Sequence, residues 1–166
     1  MVRQGHRRAR SADWTPEEAK EFRSPLEVDR TWQVWAFLLG SGLRIGELAA
    51  LRWRNVDLDD GVVRVVEFIS TLGHETAPST GKSRDAVRTI DLDKGLVKVL
   101  LRQRQLQAAE ELAASSWEET DCVFTKLGGG PYHPQYLSRL LGTYTAELGL
   151  PRITAHGLRH TSATLI

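Results

Sequence analysis

The spacing of apolar residues changes period twice along this chain. From Trp14 to Trp53 it is helical. In "DWTPEEAKEF", Thr15 is placed as an N-cap, Pro16 takes the first helical position and Glu18 closes a capping box, so a helix begins there. "TWQVWAFLLGSG" predicts a buried helix, with Trp32, Trp35, Leu38 and Leu39 at helical spacing and Gly40 or Gly42 ending it. "LRIGELAALRW" starts another helix at once. The period then shortens to two: "NVDLDDGVVRVVEF" and "DAVRTIDL" read as strands, the first broken by a hairpin at Asp60-Gly61. Between them, "ISTLGHETAPSTGKSR" is rich in Gly, Pro, Ser and Thr and predicts a long mobile connection. Helical spacing returns over residues 94–114, with Leu96, Leu100 and Leu101 on one side. A short strand is expected at "CVF" and a loop at "LGGGPYHP". A helix follows from Pro134, where Tyr136, Leu140, Tyr144 and Leu148 stand four apart, with Leu137 and Leu141 beside them, as a core stripe. The final segment, "ITAHGLRHTSATLI", opens a last helix with Thr154 as its N-cap. The fold class expected is α+β, mainly α-helical, with a small antiparallel three-stranded sheet.

Composition narrows the class without naming it. At 166 residues and 41% hydrophobic content the chain can bury one core. No apolar run reaches the length of a membrane helix, and no apolar stretch follows the basic N-terminus as in an export signal, so a soluble protein is expected. Cys122 is the single cysteine, which excludes an internal disulfide and points to a reducing, cytoplasmic compartment. A net charge of +1 says nothing for nucleic acid by itself. Its distribution says more: residues 1–12 hold Arg3, Arg7, Arg8 and Arg10 and no acid. That arm reads either as a solvated tail or as a linker riding on phosphates. The expected division is a basic arm over 1–12 and one domain over 13–166. Arginine outnumbers lysine, which suggests a GC-rich bacterial source.

The densest chemistry lies near the end. In a helix His156, Arg159 and His160 fall at i, i+3 and i+4 and share one face. His-x-x-x-His spacing suits two zinc ligands, but a third ligand is not evident and an arginine amid the site repels a metal, so no metal and no cofactor is expected. Alone, the pentapeptide is equally a surface histidine pair. A second cluster stands in "SGLRIGELAALRWRNVDL", where Arg44 begins a helix and Glu47 lies one turn on, close enough to orient the guanidinium. Taken alone, this is an ordinary helical ion pair. Gly46 between them permits close approach of another backbone.

Arg44 in "GLRIGEL", Lys82 in "TGKSRDAVRTIDL" and the "HGLRH" segment together resemble, in order and spacing, the catalytic domain of tyrosine recombinases, the phage integrase family. The resemblance runs from about Trp14 to the last residue. Its lysine motif is anchored by "RTIDL", where the family more often has proline in place of Asp91. It implies cleavage and rejoining of double-stranded DNA through a 3′-phosphotyrosine, for site-specific recombination or integration by a phage or mobile element. Breaking a phosphodiester this way builds negative charge on the nonbridging oxygens and on the departing 5′ oxygen. Arginines suit the first because they clamp phosphate bidentately and stay charged. The resemblance implies that Arg44 and Arg159 do so and that Lys82 protonates the leaving oxygen. It also implies that His156 handles the proton of the attacking hydroxyl, with Glu47 and His160 in support. Arg44, Lys82 and Arg159 are then also the DNA contacts, and other protomers on the DNA are the expected protein partners, in a cytoplasmic, nucleoid-associated setting.

The family's nucleophile is a tyrosine some dozens of residues beyond the His-x-x-Arg motif, preceded by a further His or Trp. This sequence runs six residues past His160, and Tyr132, Tyr136 and Tyr144 all precede the motif. A catalytic domain truncated before its nucleophile, binding DNA without cutting it, is therefore expected. The alternatives are a noncatalytic DNA-binding or regulatory module derived from a recombinase, a type IB topoisomerase-like enzyme, and a helical interaction domain unrelated to DNA.

Overall fold

The computed structural model describes residues 13–69, 78–80 and 87–164. Six α-helices and five short strands are found among them. Helix α1 (Pro16–Arg23) starts with the reciprocal box its sequence encodes: Thr15 Oγ1 accepts the Glu18 N–H at 3.2 Å, and the Glu18 carboxylate accepts the Thr15 N–H at 2.8 Å. A 3₁₀ turn (Pro25–Val28) leads to α2 (Trp32–Ser41), the centre of the molecule. All residues from Trp32 to Leu39 are buried, so α2 is covered on every side rather than along a single stripe. Of its two candidate stops, Gly42 ends it, in a left-handed conformation (φ 65°) with its N–H on the Leu38 carbonyl. Gly40 serves packing instead. A β-carbon there would come within 2.6 Å of Leu96 Cδ2, on the neighbouring helix α4 (Lys94–Ala113). Helix α6 (Ala155–Thr164) also packs on α2.

Helix α3 (Ile45–Ala50) is brief, and a 3₁₀ turn over Trp53–Asn55 follows it. Strands β1 (Val56–Asp57), β2 (Val62–Val65) and β5 (Arg88–Asp91) form the expected antiparallel three-stranded sheet, in the order β1-β2-β5. Gly61, at φ 65°, makes the hairpin between β1 and β2. A second, two-stranded sheet was not legible: the long polar connection contains β4 (Pro78–Thr80), which pairs antiparallel with β3 (Glu67–Ile69). This sheet packs on α3, and Gly46 allows it, because a β-carbon there would meet the Ile69 carbonyl oxygen at 2.6 Å. The close approach expected at Gly46 is real.

Three expectations need correction. "CVF" is no strand: Cys122 makes a single bridge to Arg52, and Val123 and Phe124 are simply buried. Leu101 on α4 is 44% exposed, because the buried face runs through Leu96, Val99, Leu100, Gln103 and Gln107. The two glutamines belong to that face because their amides donate to the Val123 and Cys122 carbonyls. On α5 (Pro134–Glu147) the core row is Leu137, Leu141 and Thr145. Leu137 and Leu141 are core as expected, but Tyr136 is exposed and Leu140, Tyr144 and Leu148 are half-buried, so the four-spaced row is the rim of the stripe.

A polar network ties these parts together. Arg30, just before α2, grips Glu110 of α4 with Nε and Nη2 at 2.5 and 2.6 Å. It also donates to the Tyr132 hydroxyl at 2.7 Å and the Thr125 carbonyl at 3.0 Å. Beside it, Asp29 accepts from Thr31 and from the Tyr144 hydroxyl.

Candidate active site

Arg44 is the N-cap residue of α3, in an extended conformation that turns its side chain out of the helix. Its side chain is 61% exposed, and one of its guanidinium N–H groups donates to Glu47 Oε1 at 3.0 Å. Glu47 reaches back along the first turn, where Oε2 accepts the Arg44 backbone N–H at 2.9 Å. Arg88, from β5, completes the group: its Nη1 and Nη2 donate to Oε1 and Oε2 of the same carboxylate at 2.6 and 2.7 Å. The sequence reading missed Arg88. A signal was present, since Arg88 precedes Ile90 by two positions in a strand and so shares its face, and an inward arginine calls for an acid.

The electrostatics follow from this arrangement. Glu47 is nearly buried, which alone would push its pKa up, but hydrogen bonds from Arg88 and from the Arg44 backbone outweigh that and hold it below the usual carboxylate range. Arg88 is held above its ordinary value, chiefly by the same bonds. A carboxyl depressed in this way stabilises the fold above its unfolded pKa, and that stability is lost as pH falls through the folded value. Glu47→Gln should therefore lower the melting temperature at neutral pH, and the gap from wild type should close as the pH drops below the usual carboxylate range. A gap that stays constant into acid would mean that Glu47 carries no charge in the folded protein.

Helix α6 carries the second cluster. Thr154 caps it as expected, its hydroxyl accepting the Gly157 N–H at 3.1 Å. Leu158 is fully buried and fixes the rotation of the helix, leaving His156 and His160 exposed and Arg159 half-buried. The two imidazoles meet edge to face, with Nε2 atoms 2.9 Å apart. Among the described residues no group of three or more metal-ligating side chains gathers at this pair or elsewhere. Trp14 fastens the helix from outside: its backbone N–H donates to Thr161 Oγ1, and its indole donates to the Pro151 carbonyl, both at 2.9 Å.

The elements that carry the two clusters meet through small residues. A β-carbon on Gly42, two positions before Arg44, would stand 3.4 Å from Ser162 Oγ, one turn beyond Arg159. The turn that presents Arg44 thus lies against the helix that presents His156 and Arg159. Lys82 lies outside the described residues, two positions after Thr80, the last residue of β4. The tyrosines are otherwise engaged: Tyr132 is buried on Arg30, and the Tyr144 hydroxyl is pushed up to about 12 by burial and by its bond to Asp29. Tyr136 stacks on Tyr132, with ring centroids 5.9 Å apart.

A mainly helical domain with this small antiparallel sheet is the architecture of tyrosine-recombinase catalytic domains. The phage integrase family model matches residues 18–166, and the chain belongs to that family. It is 29% identical to a tyrosine recombinase XerC-like protein of Caldanaerobacter subterraneus, over 91% of this chain and 42% of that protein. It is 27% identical to the ICEBs1 integrase of Bacillus subtilis, over 92% of this chain and again 42% of the relative. The chain thus spans about two fifths of the length of these relatives. Among solved structures, the Tn1549 transposon integrase in complex with transposon right end DNA superposes with a TM-score of 0.81 at 21% identity, covering 96% of this chain and 54% of that one. The XerA recombinase superposes at 0.71 and 22% identity, over 99% and 52%. No helix among the described residues is long and apolar enough to cross a membrane.

Proposed function

We propose that this chain is the catalytic part of a site-specific DNA recombinase and that its substrate is a phosphodiester of duplex DNA. One observation carries the reading. Arg44 is held at one end by Glu47 and keeps its outer face exposed, beside the helix of His156 and Arg159. Two guanidiniums presented on adjoining elements suit a pentavalent phosphorane, whose extra charge sits on two nonbridging oxygens. In this reading Arg44 and Arg159 bind those oxygens. A tyrosine oxygen forms the new bond to phosphorus, its proton passing to His156. The 5′ oxygen departs with a proton from Lys82, and rejoining reverses each step. Glu47 orients Arg44, and His160, within hydrogen-bonding distance of His156, orients that imidazole. The attacking tyrosine is none of Tyr132, Tyr136 and Tyr144: the first and third hold structural hydrogen bonds, and the second is stacked on the first. Recombination requires four strands to be exchanged, so further protomers on the DNA are part of the proposal.

The 166-residue chain should bind duplex DNA weakly and without sequence preference, with a Kd of roughly 10⁻⁴–10⁻⁶ M at physiological salt, and should leave the strands intact. Titration of a fluorescent duplex at several salt concentrations tests this. Affinity that does not change between low and physiological salt would overturn a phosphate-centred site.

A further inference from the structure

Arg88 is a member of the site that no part of the reaction above employs, and its geometry gives it a task. We infer that Arg88 is a positioning residue that neutralises Glu47 and so leaves the charge and outward N–H groups of Arg44 available to a DNA phosphate. The inference rests on the proposed DNA reading.

Arg44 and Glu47 alone sum to zero, and a carboxylate within 3.0 Å of the phosphate-binding guanidinium would also repel the phosphate. With Arg88 the group carries one net positive charge. The geometry divides the labour unequally. Arg88 takes both carboxylate oxygens, at 2.6 and 2.7 Å, in the fork-to-fork arrangement that satisfies a carboxylate best. Arg44 gives Glu47 a single side-chain bond, and that is the longer one, at 3.0 Å. Exposure agrees, since the side chain of Arg44 is 61% exposed and that of Arg88 33%. The more enclosed arginine holds the acid, and the more open one faces outward.

Without Arg88, Arg44 is the one cation left paired with a nearly buried Glu47 among the described residues. Arg44 is then drawn onto it bidentately, and the pair becomes neutral. Glu47 is thus a hinge for Arg44 when Arg88 is present and a trap when it is not. Glu47 itself is useful to the site because its contacts with the Arg44 backbone and side chain fix where the guanidinium starts.

The test is a double-mutant cycle on the 166-residue chain, read by salt-dependent binding of a fluorescent DNA duplex. Arg88→Gln removes the charge but keeps a hydrogen-bond donor for Glu47, and Trp fluorescence checks that each variant is folded. The expected result is about tenfold weaker binding at 0.1 M salt, with the slope of log K against log salt smaller by about one. Arg88→Lys restores the charge and should restore the slope. The decisive comparison uses Glu47→Gln as background: with no carboxylate to neutralise, Arg88→Gln should cause no further loss. Equal losses in both backgrounds would show Arg88 contacting DNA directly and overturn the inference while leaving the DNA reading intact. Unchanged binding in folded Arg88→Gln would overturn it too. Should Arg88→Gln fail to fold, the comparison passes to Arg88→Lys. Full binding by that variant, which has the charge without the fork, supports the inference, and a loss equal to one phosphate contact overturns it. Salt-independent binding by the wild type would instead remove the DNA reading, and this inference with it.

Discussion

Lys82→Ala, made in a protein of the relatives' full length, is expected to slow DNA cleavage by about 10²–10⁴-fold, the usual contribution of a positioned general acid. Cleavage is measured as covalent protein–DNA adduct trapped through a 3′ phosphate. Replacing the bridging 5′ oxygen by sulfur gives a leaving group that scarcely needs a proton, so the Lys82→Ala defect should largely vanish on that substrate. Arg159→Ala should not be rescued, because in the proposed reaction its charge serves the nonbridging oxygens, which the sulfur leaves unchanged. Rescue of both variants, or of neither, would place the general acid on another residue. The pair of substrates separates proton donation from electrostatic stabilisation, which a single rate cannot do.

The largest effect on stability is expected at Arg30. Arg30→Met keeps the aliphatic stem but leaves the Glu110 carboxylate, 11% exposed, without its counter-charge. Breaking a part-buried pair of this kind from one side costs about 1–3 kcal/mol, most of it the penalty of a carboxylate left without its donors. Arg30→Met with Glu110→Met should recover much of that loss, since two well-packed apolar side chains avoid the desolvation altogether. Urea unfolding followed by Trp fluorescence measures both. A double variant as unstable as Arg30→Met alone would shift the cause to the Tyr132 hydroxyl and Thr125 carbonyl, which also lose their donor.

The local structure that sequence conveyed best was what short-range chemistry decides. Thr15, Glu18 and Thr154 act within one turn of their own helices, so their caps follow from adjacent residues. The Gly61 hairpin and the pairing of β1, β2 and β5 follow from alternation. Long-range competition decided the rest. Gln103 and Gln107 count as polar in any periodicity, yet the carbonyls of Val123 and Cys122, distant in sequence, make them interior residues and move Leu101 outward. Pro78 and Thr80 look like loop residues, and only a partner strand following β2 makes them part of a sheet. The site divides in the same way. Arg44 and Glu47 lie within one turn and could be paired on paper, whereas Arg88, 41 positions from Glu47, reaches that acid only through the tertiary fold. Lys82, which the family resemblance supplied, lies outside the described residues.

The two bonds of Trp14 bear on the order in which this molecule becomes functional. They join residues 147 and 137 positions apart, bringing α6 and Pro151 back onto the segment that leads into α1. Closing so long a loop loses chain entropy before any contact compensates, and contacts of this separation are the slow ones in folding. The helix of His156 and Arg159 rests on α2 and on Trp14, surfaces that exist only once α1 and α2 have assembled. The helix of His156 and Arg159 therefore forms after its seat: a ribosome emitting this chain completes α1 and α2 first, and a nascent chain that has not closed on Trp14 leaves those two side chains unplaced.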